Sequence, residues 1–455
     1  MPKKKTALTI EERLQQALVP AEEQPYEVPE NWVWVRLESV ASWGSGGTPS
    51  RKHEEYYNGD ILWIKTGELN NGWIYDTEEK ITDEGLKKSS AKLFPPYSVL
   101  IAMYGATIGK VAILGVPATT NQACACAVCN QSLLYMYLFY YCISQKNVFI
   151  EKGKGGAQPN ISQIILKQHP IPLPPLSEQQ RIVERIEELF AKMDEAKERL
   201  QEVADSFAVR KAAILHKAFT GELTKQWRRE NGVSDESWEE RKLGEVGSWL
   251  GGGTPSTSRE EYWENGNILW ITSKDMKSTV IEDTLMKVNE IGVKNSSANY
   301  IEKPALLVVM RSGILRRTFP VAMVKKPFTV NQDLKAIIPD EDDLEFLYWM
   351  LLSNEQRILN TCMKNGTTVE SINSNALKDL TFKCPTLPEQ HEIVRLIDEL
   401  LARERAAQQA AEQALASIDL MKKSILARAF RGELGTNKAS EASALELLRQ
   451  VLAEG

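Results

Sequence analysis

The chain has 455 residues, 43% of them hydrophobic and 25% charged, which supplies material for two or more cores and argues against disorder. Lys3, Lys4 and Lys5 run into Glu11, Glu12 and Arg13 rather than an apolar signal core, and the greasiest stretch, Leu133 to Ile143, is shorter than the about 20 residues that cross a bilayer. A cytoplasmic protein is expected, and a formal net charge of −6 leaves only local basic grooves for contact with nucleic acid, because Lys and Arg supply most non-specific attraction to phosphate.

In chain order, residues 1–30 form an N-terminal segment in which Leu14 and Leu18 suit a short amphipathic helix, for packing on a core or for gripping a partner. Residues 31–173 read as a mixed domain. Ser98 to Met103 is a strand, and Leu133 to Tyr141 is a helix whose aromatic and Met content is core packing. Cys124 and Cys126 share one strand face as small apolar groups; zinc would need a second Cys or His pair at ligand spacing. With Cys129, Cys142, Cys362 and Cys384 they form no regular disulfide pattern, so reduced thiols are expected.

The proline-rich stop Pro170 to Pro175 introduces a helix over 174–220. Ile182, Ile186, Leu189, Met193, Ala196, Leu200, Val203, Phe207 and Ile214 fall on alternating four- and three-residue steps, a coiled-coil seam interrupted by Arg210. Gly221 ends it and 221–237 is a linker. Residues 238–383 form a second mixed domain, with a strand at Ala305 to Met310 and a helix at Leu344 to Leu352. A second helix over 384–430 carries Ile393, Ile397, Leu400, Ala407, Ala411, Ala414, Ile418, Met421 and Ile425, interrupted by Glu404, and stops before Gly432. In the terminal segment 431–455, Leu445, Leu448 and Leu452 mirror the amphipathic pattern near the start.

The chain is one unit written twice. Gly46-Gly47-Thr48-Pro49-Ser50 recurs as Gly252-Gly253-Thr254-Pro255-Ser256, Ile61-Leu62-Trp63-Ile64 as Ile268-Leu269-Trp270-Ile271, and Asn121-Gln122 as Asn331-Gln332. Leu176-Ser177-Glu178-Gln179 answers to Leu387-Pro388-Glu389-Gln390, and Ala218-Phe219-Thr220-Gly221-Glu222-Leu223 to Ala429-Phe430-Arg431-Gly432-Glu433-Leu434. The spacing between copies drifts through the domains but is constant across the helices, as rigid elements require. Run antiparallel, Met193 and Leu200 would face Ala414 and Ala407, large against small. The fold class is therefore α+β: two pseudo-symmetric domains separated by a long antiparallel two-helix coiled coil. A straight helix from Glu178 to Phe219 reaches on the order of 60 Å, against roughly 34–36 Å per turn of DNA.

No active site emerges. Leu93-Phe94-Pro95-Pro96-Tyr97 resembles an amino-methyltransferase signature, but Phe94 stands where an Asn or Asp must accept from the target amine. Gly105 to Lys110 is one residue short of a phosphate loop, and Val111 lacks the hydroxyl a magnesium ion needs. Gly44-Ser45-Gly46-Gly47 is a turn with a twin at Gly251-Gly252-Gly253. His53, His169, His216 and His391 stand isolated.

Pro29-Glu30-Asn31-Trp32, the Gly-Gly-Thr-Pro-Ser turn, Tyr104-Gly105-Ala106-Thr107-Ile108-Gly109-Lys110 and Pro172-Leu173-Pro174-Pro175-Leu176-Ser177-Glu178-Gln179 together resemble the specificity subunits of type I restriction-modification systems over nearly the whole chain. The resemblance implies that each domain is a target recognition domain reading one half of a split DNA site, and that the helices space the two. It implies no catalysis, metal or cofactor in this chain. A methyltransferase subunit would hold S-adenosylmethionine and methylate adenine, and restriction subunits would use ATP and magnesium to translocate and cut DNA. Because a repeat presents any docking surface twice, two methyltransferase subunits per chain are expected.

Tyr104-Gly105-Ala106 faces Arg311-Ser312-Gly313 in the other copy, so the half-sites should differ. The candidate DNA-binding residues are Lys65, Tyr104, Lys110, Lys154 and Gln158 in the first domain and Lys274, Arg311, Arg316, Arg317 and Lys364 in the second; the arginines can read guanine edges or neutralise phosphates. An enzyme would need a Rossmann unit that the sequence does not contain. A protein-binding scaffold would enrich no DNA sequence from a random pool.

Overall fold

Aliphatic runs bounded by Pro, Gly or a turn become fully buried strands, as at Val99–Ala102 and Ala305–Val309. Both faces of such strands are covered, so they read as continuous apolar stretches instead of alternating ones. The structure is a computed structural model describing residues 9–154, 160–364 and 369–454. The chain divides into two units, Met1–Arg199 with Ala414–Gly455, and Leu200–Gln413.

In the first unit, Ala41–Ser45, Cys124–Cys129, Val99–Ala102, Val111–Leu114 and Trp73–Ile74 form a five-stranded sheet in that order. Lys80–Ile81, Tyr57–Ile64 and Thr119–Thr120 form a three-stranded sheet, and Val33–Arg36 pairs antiparallel with Pro170–Leu173. The second unit repeats the plan with Gly247–Gly251, Leu334–Pro339, Ala305–Val309 and Val321–Val324, then Met286–Val288, Ile268–Ile271 and Phe328–Val330, and the pair Glu239–Lys242 and Thr381–Cys384. Where the first unit adds Trp73–Ile74, the second has a single bridge from Val280 to Met323.

Along Cys124–Cys129 the pleat sends Cys124 and Cys126 into a core with Ile64, Leu100 and Leu114, while Ala125 and Ala127 join Val99, Ile101 and Tyr137. Burial pushes the Cys126 thiol up to about 12, and Cys124 is raised by the same cause. Among the described residues no group of three or more His, Cys, Asp or Glu side chains is placed to hold a metal, and no helix is long and apolar enough to cross a membrane.

The helices depart from the expected seam in two ways. The straight helix to Phe219 is interrupted: one segment runs Leu176–Asp205 and the next Phe207–Phe219. At the break the guanidinium of Arg210 bonds the Val203 carbonyl (3.0 Å) and the Ser206 hydroxyl, so a side chain enters the backbone ladder. In the second helix, Leu387–Ala429, the covered face passes through Leu401, Ala411 and Ile418, whereas Ala407 and Met421 are exposed. Leu400 is only partly buried, Ala414 likewise, and on the first helix Ala196 and Val203 are exposed while Ile182 and Ile186 are fully covered. Leu189, Met193, Leu200 and Phe207 are half-buried, and Ile393 and Ile397 are fully buried. The two expected interruptions, Arg210 and Glu404, pair with each other across the helices.

Within each unit the helical segments run antiparallel. In the first, Glu178 meets Asn437 while Asp194 meets Lys422 (2.5 Å). In the second, Glu389 meets Arg228 while Glu404 meets Arg210. The Glu-Gln motifs anchor these helices to their domains. The Gln179 carbonyl oxygen accepts from Leu134 N (2.8 Å), and Gln390 does the same for Asp343 N (2.8 Å), which ties the start of each long helix to the start of a domain helix, Tyr135–Ser144 or Leu344–Ser353. Glu178 accepts from the Trp32 indole and from Asn437, both at 2.8 Å, and it is fully buried in the first turn, where the helix dipole favours an anion.

The terminal segments, for which core packing and partner gripping were both open, pack on the first unit's own core. Ile10–Ala17 and Ala444–Glu454 bury Leu14 and Leu448 there, and Leu18, Leu445 and Leu452 pack partly against it. The Arg13 guanidinium donates to the Leu452 carbonyl at 3.2 Å.

The histidines are less isolated than expected. His53 lies 2.8 Å from Glu55 and His391 lies 3.4 Å from Asp343, while His216 is exposed. His169 is buried, with Lys152 Nζ at 3.1 Å from Nδ1 and the Tyr141 hydroxyl at 3.5 Å from Nε2. Burial, and then the Lys152 charge, push its pKa down to about 3. An unfolded His takes up a proton near 6.5, so stability is full above that pH and falls below it, by about 2 kcal/mol at pH 5. Urea denaturation at pH 7.5 and 5.0 checks this: the difference between the two should shrink by about that amount in His169→Gln.

Candidate nucleic-acid interface

In each domain a short backbone segment holds the ends of two strands side by side. In the first, Asn121 N donates to the Ile64 carbonyl (2.9 Å) and Met103 N donates to the Ala123 carbonyl (2.9 Å), which sets Lys65 and Tyr104 at one edge. Ile161 N donates to the Met103 carbonyl (2.9 Å), and Asn160 bridges Tyr104, bringing in a third segment. The second domain repeats each bond: Asn331 N to Ile271 O (3.0 Å), Met310 N to Asp333 O (2.8 Å) and Ile372 N to Met310 O (2.8 Å), with Ser371 bridging Arg311. An edge assembled from chain ends and turns can vary its side chains without disturbing the sheet beneath.

The turn after each central strand is dressed differently. Tyr104 leads into a tight turn, Gly105–Thr107, with Gly105 and Gly109 at positive φ, and Tyr104 is 40% exposed. Lys110 closes that turn through its N–H to the Thr107 carbonyl (2.9 Å), and Lys154 lies in the segment leading toward Asn160, where the Gly153 carbonyl accepts from Asn160 N (3.1 Å). In the second domain Arg311 leads into Gly313–Arg316, Arg317 closes the turn on the Ile314 carbonyl (3.0 Å), and Lys364 N donates to the Ser371 carbonyl (2.9 Å). Tyr104, Lys110 and Lys154 are thus gathered on one edge, and Arg311, Arg316, Arg317 and Lys364 on the other. Lys65 and Lys274 stand on neighbouring turns, where Glu68 and Asp275 accept from the backbone N–H of Lys65 and Thr272 (both 2.9 Å). Gln158 lies outside the described residues.

Several of these charges are already engaged. Lys65 Nζ meets Glu79 at 2.9 Å and Glu78 at 3.5 Å, and the Glu79 carboxylate holds its ammonium above the ordinary lysine value. Arg316 pairs with Glu370, and Lys154 with Glu151 at 2.8 Å. Lys110, Lys274, Arg311, Arg317 and Lys364 make no ion pair with a described residue, and all but Lys110 are exposed. These acidic partners are the part of the site that sequence reasoning missed. Glu370 lies far along the chain from Arg316, and the Arg311–Ser371 bridge, with the bond from Ser312 N to the Glu370 carbonyl (3.0 Å), brings the two turns together.

The sequence matches the family described as type I restriction modification DNA specificity domain, twice, over residues 29–205 and 235–414. It is similar to the EcoR124I/EcoR124II specificity subunit of Escherichia coli, 41% identical over 35% of this chain and 39% of that one. It is also similar to the MjaIX specificity subunit of Methanocaldococcus jannaschii, 26% identical over 83% of this chain and 88% of the relative, and to the EcoKI specificity subunit of Escherichia coli K12, 25% identical over 94% and 96%. Among solved structures, the HsdS subunit from Thermoanaerobacter tengcongensis shares the fold with a TM-score of 0.66 at 20% identity, covering 90% of this chain and 100% of that one.

Proposed function

The chain belongs to the type I restriction-modification DNA specificity family, and we propose from that premise that it binds duplex DNA at two half-sites, one to each domain, on behalf of partner subunits that do the chemistry. The observation that supports this most directly is an edge built twice from the same backbone bonds and dressed with different side chains. Shared construction gives both domains one way of meeting a duplex. Tyr104 against Arg311, and Lys110 against Arg316 and Arg317, give them different half-sites.

Two reading modules on one chain make the second contact intramolecular, so each half-site can be short and the bases between them unread. This chain recognises and makes no bond itself. S-adenosylmethionine is the business of a methyltransferase partner, two per chain because the repeat presents its docking surface twice, and ATP with magnesium that of restriction subunits. The methyltransferase flips its target adenine, since a stacked base is out of reach.

Selection from a random duplex pool, with the chain and its co-expressed methyltransferase subunit, tests this. The expected result is enrichment of two unlike half-sites separated by one gap length. Recovery of an unselected pool would show a scaffold instead, and methyl transfer by this chain unaided would show an enzyme.

A further inference from the structure

Beside residues that differ between the two domains stands a pair that does not. The Thr48 hydroxyl donates to the Gln122 side-chain oxygen (2.5 Å), and the Thr254 hydroxyl donates to that of Gln332 (2.8 Å). All four residues are exposed. The turn that carries each threonine is fixed from below, for the Trp63 indole donates to the Gly47 carbonyl (2.9 Å) and Trp270 to that of Gly253 (3.2 Å). A Cβ on Gly46 would lie 1.8 Å from the Thr120 carbonyl oxygen, and one on Gly252 would lie 1.8 Å from that of Val330, so neither turn has room to shift. Each Gln follows the Asn whose N–H clamps the edge at Ile64 or Ile271. With its oxygen engaged by threonine, each Gln holds its amide nitrogen in a set direction, and neither nitrogen donates to a described residue.

Two domains that read unlike half-sites gain no discrimination from an identical, identically held side-chain pair. Such a pair matches what both half-sites share, which is the sugar–phosphate backbone. We infer that Gln122 with Thr48, and Gln332 with Thr254, are matched phosphodiester contacts, each Gln amide donating to a phosphate oxygen at the same relative place in its half-site. They fix register, while Tyr104 and Arg311 along the same edges discriminate. The inference rests on the DNA-binding reading above and separates the positioning groups from the reading groups.

The test uses the full chain with its co-expressed methyltransferase subunit, the selected duplex, a duplex with both half-sites scrambled, and a salt series. Gln122→Ala and Gln332→Ala should each weaken binding roughly tenfold, and equally on both duplexes, as loss of one hydrogen bond to a charged group does. The sequence selected from a pool should stay the same. The salt dependence should also stay the same, because a neutral amide releases no counterion. Gln122→Glu, which keeps the threonine bond but sets a carboxylate against phosphate, should lose more than Gln122→Ala at low salt. A single methylphosphonate in each half-site of the selected duplex should weaken wild-type binding at one position, where the matching Ala variant loses nothing further. A changed half-site preference, a loss confined to the selected duplex, or wild-type affinity in both Ala variants overturns the inference alone. A wild-type complex that shifts neither duplex overturns the DNA-binding reading and the inference with it.

Discussion

Arg228→Ala is expected to destabilise the Leu200–Gln413 unit by about 3–5 kcal/mol, the cost of leaving a buried carboxylate without its partner. Arg228 and Glu389 are 6% and 0% exposed at their side chains, and the guanidinium reaches Glu389 at 2.7 Å, Thr224 at 3.0 Å and the Gly221 carbonyl at 2.8 Å. One Glu389 oxygen already has no hydrogen-bond partner among the described residues, so after truncation the Thr224 hydroxyl (2.6 Å) would be the carboxylate's remaining side-chain hydrogen bond, beside the partial positive charge of the helix N-terminus. A pair of this kind is weak evidence of net stabilisation, since its formation costs desolvation of both ions; the asymmetry appears when one member is removed. The second substitution Glu389→Gln should therefore recover much of the loss. Denaturant titration gives the magnitude, and hydrogen exchange should place the opening within residues 200–413. A loss below about 1 kcal/mol would mean that Glu389 reaches water, contrary to its burial.

What the sequence disclosed and what it hid follow from the same physics. Strands buried on both faces, such as Val99–Ala102 and Ala305–Val309, and helices set off by prolines are local signals, and the repeat doubles each of them. The phase of the second long helix was not local. Between Leu401 and Ile418 its sequence is mostly alanine and charge, so two registers one residue apart look alike. The choice rests on what packs against the helix from other segments, and there Arg210 meets Glu404, two groups that in one dimension look like defects. The edges were half legible. Arg311 and Arg316 could be named as candidates because they replace unlike residues in the other copy, but Glu370, which engages Arg316, belongs to a segment that only the fold brings alongside. In the same way, the repeated Thr and Gln motifs were visible as repeats, and their contact with each other was not.

Phe430→Ala should cost the other unit about 3–5 kcal/mol, the usual penalty for emptying a buried phenyl site. Phe430 ends the second long helix yet is only 1% exposed in the core of the first unit, where its ring meets Tyr137 at 5.1 Å and Tyr141 at 5.0 Å, both edge to face. Those two tyrosines are themselves pinned, through hydroxyls that donate to the Pro172 (2.8 Å) and Pro170 (2.5 Å) carbonyls, so the site cannot collapse to fill the void. Its counterpart in the repeat, Phe219, ends the first helix and tilts against Phe346 in the second unit at 5.5 Å. Each helix thus delivers its last aromatic residue to the domain of the other copy. Because Phe219 is only partly buried, Phe219→Ala should cost less, and in the Leu200–Gln413 unit. Hydrogen exchange on the two variants separates the assignments: Phe430→Ala should loosen Tyr135–Ser144 and leave Leu344–Ser353 protected, and Phe219→Ala should do the reverse. If Phe430→Ala instead opened Leu344–Ser353, the second helix would end on its own copy's domain, contrary to the contacts of Phe430 with Tyr137 and Tyr141.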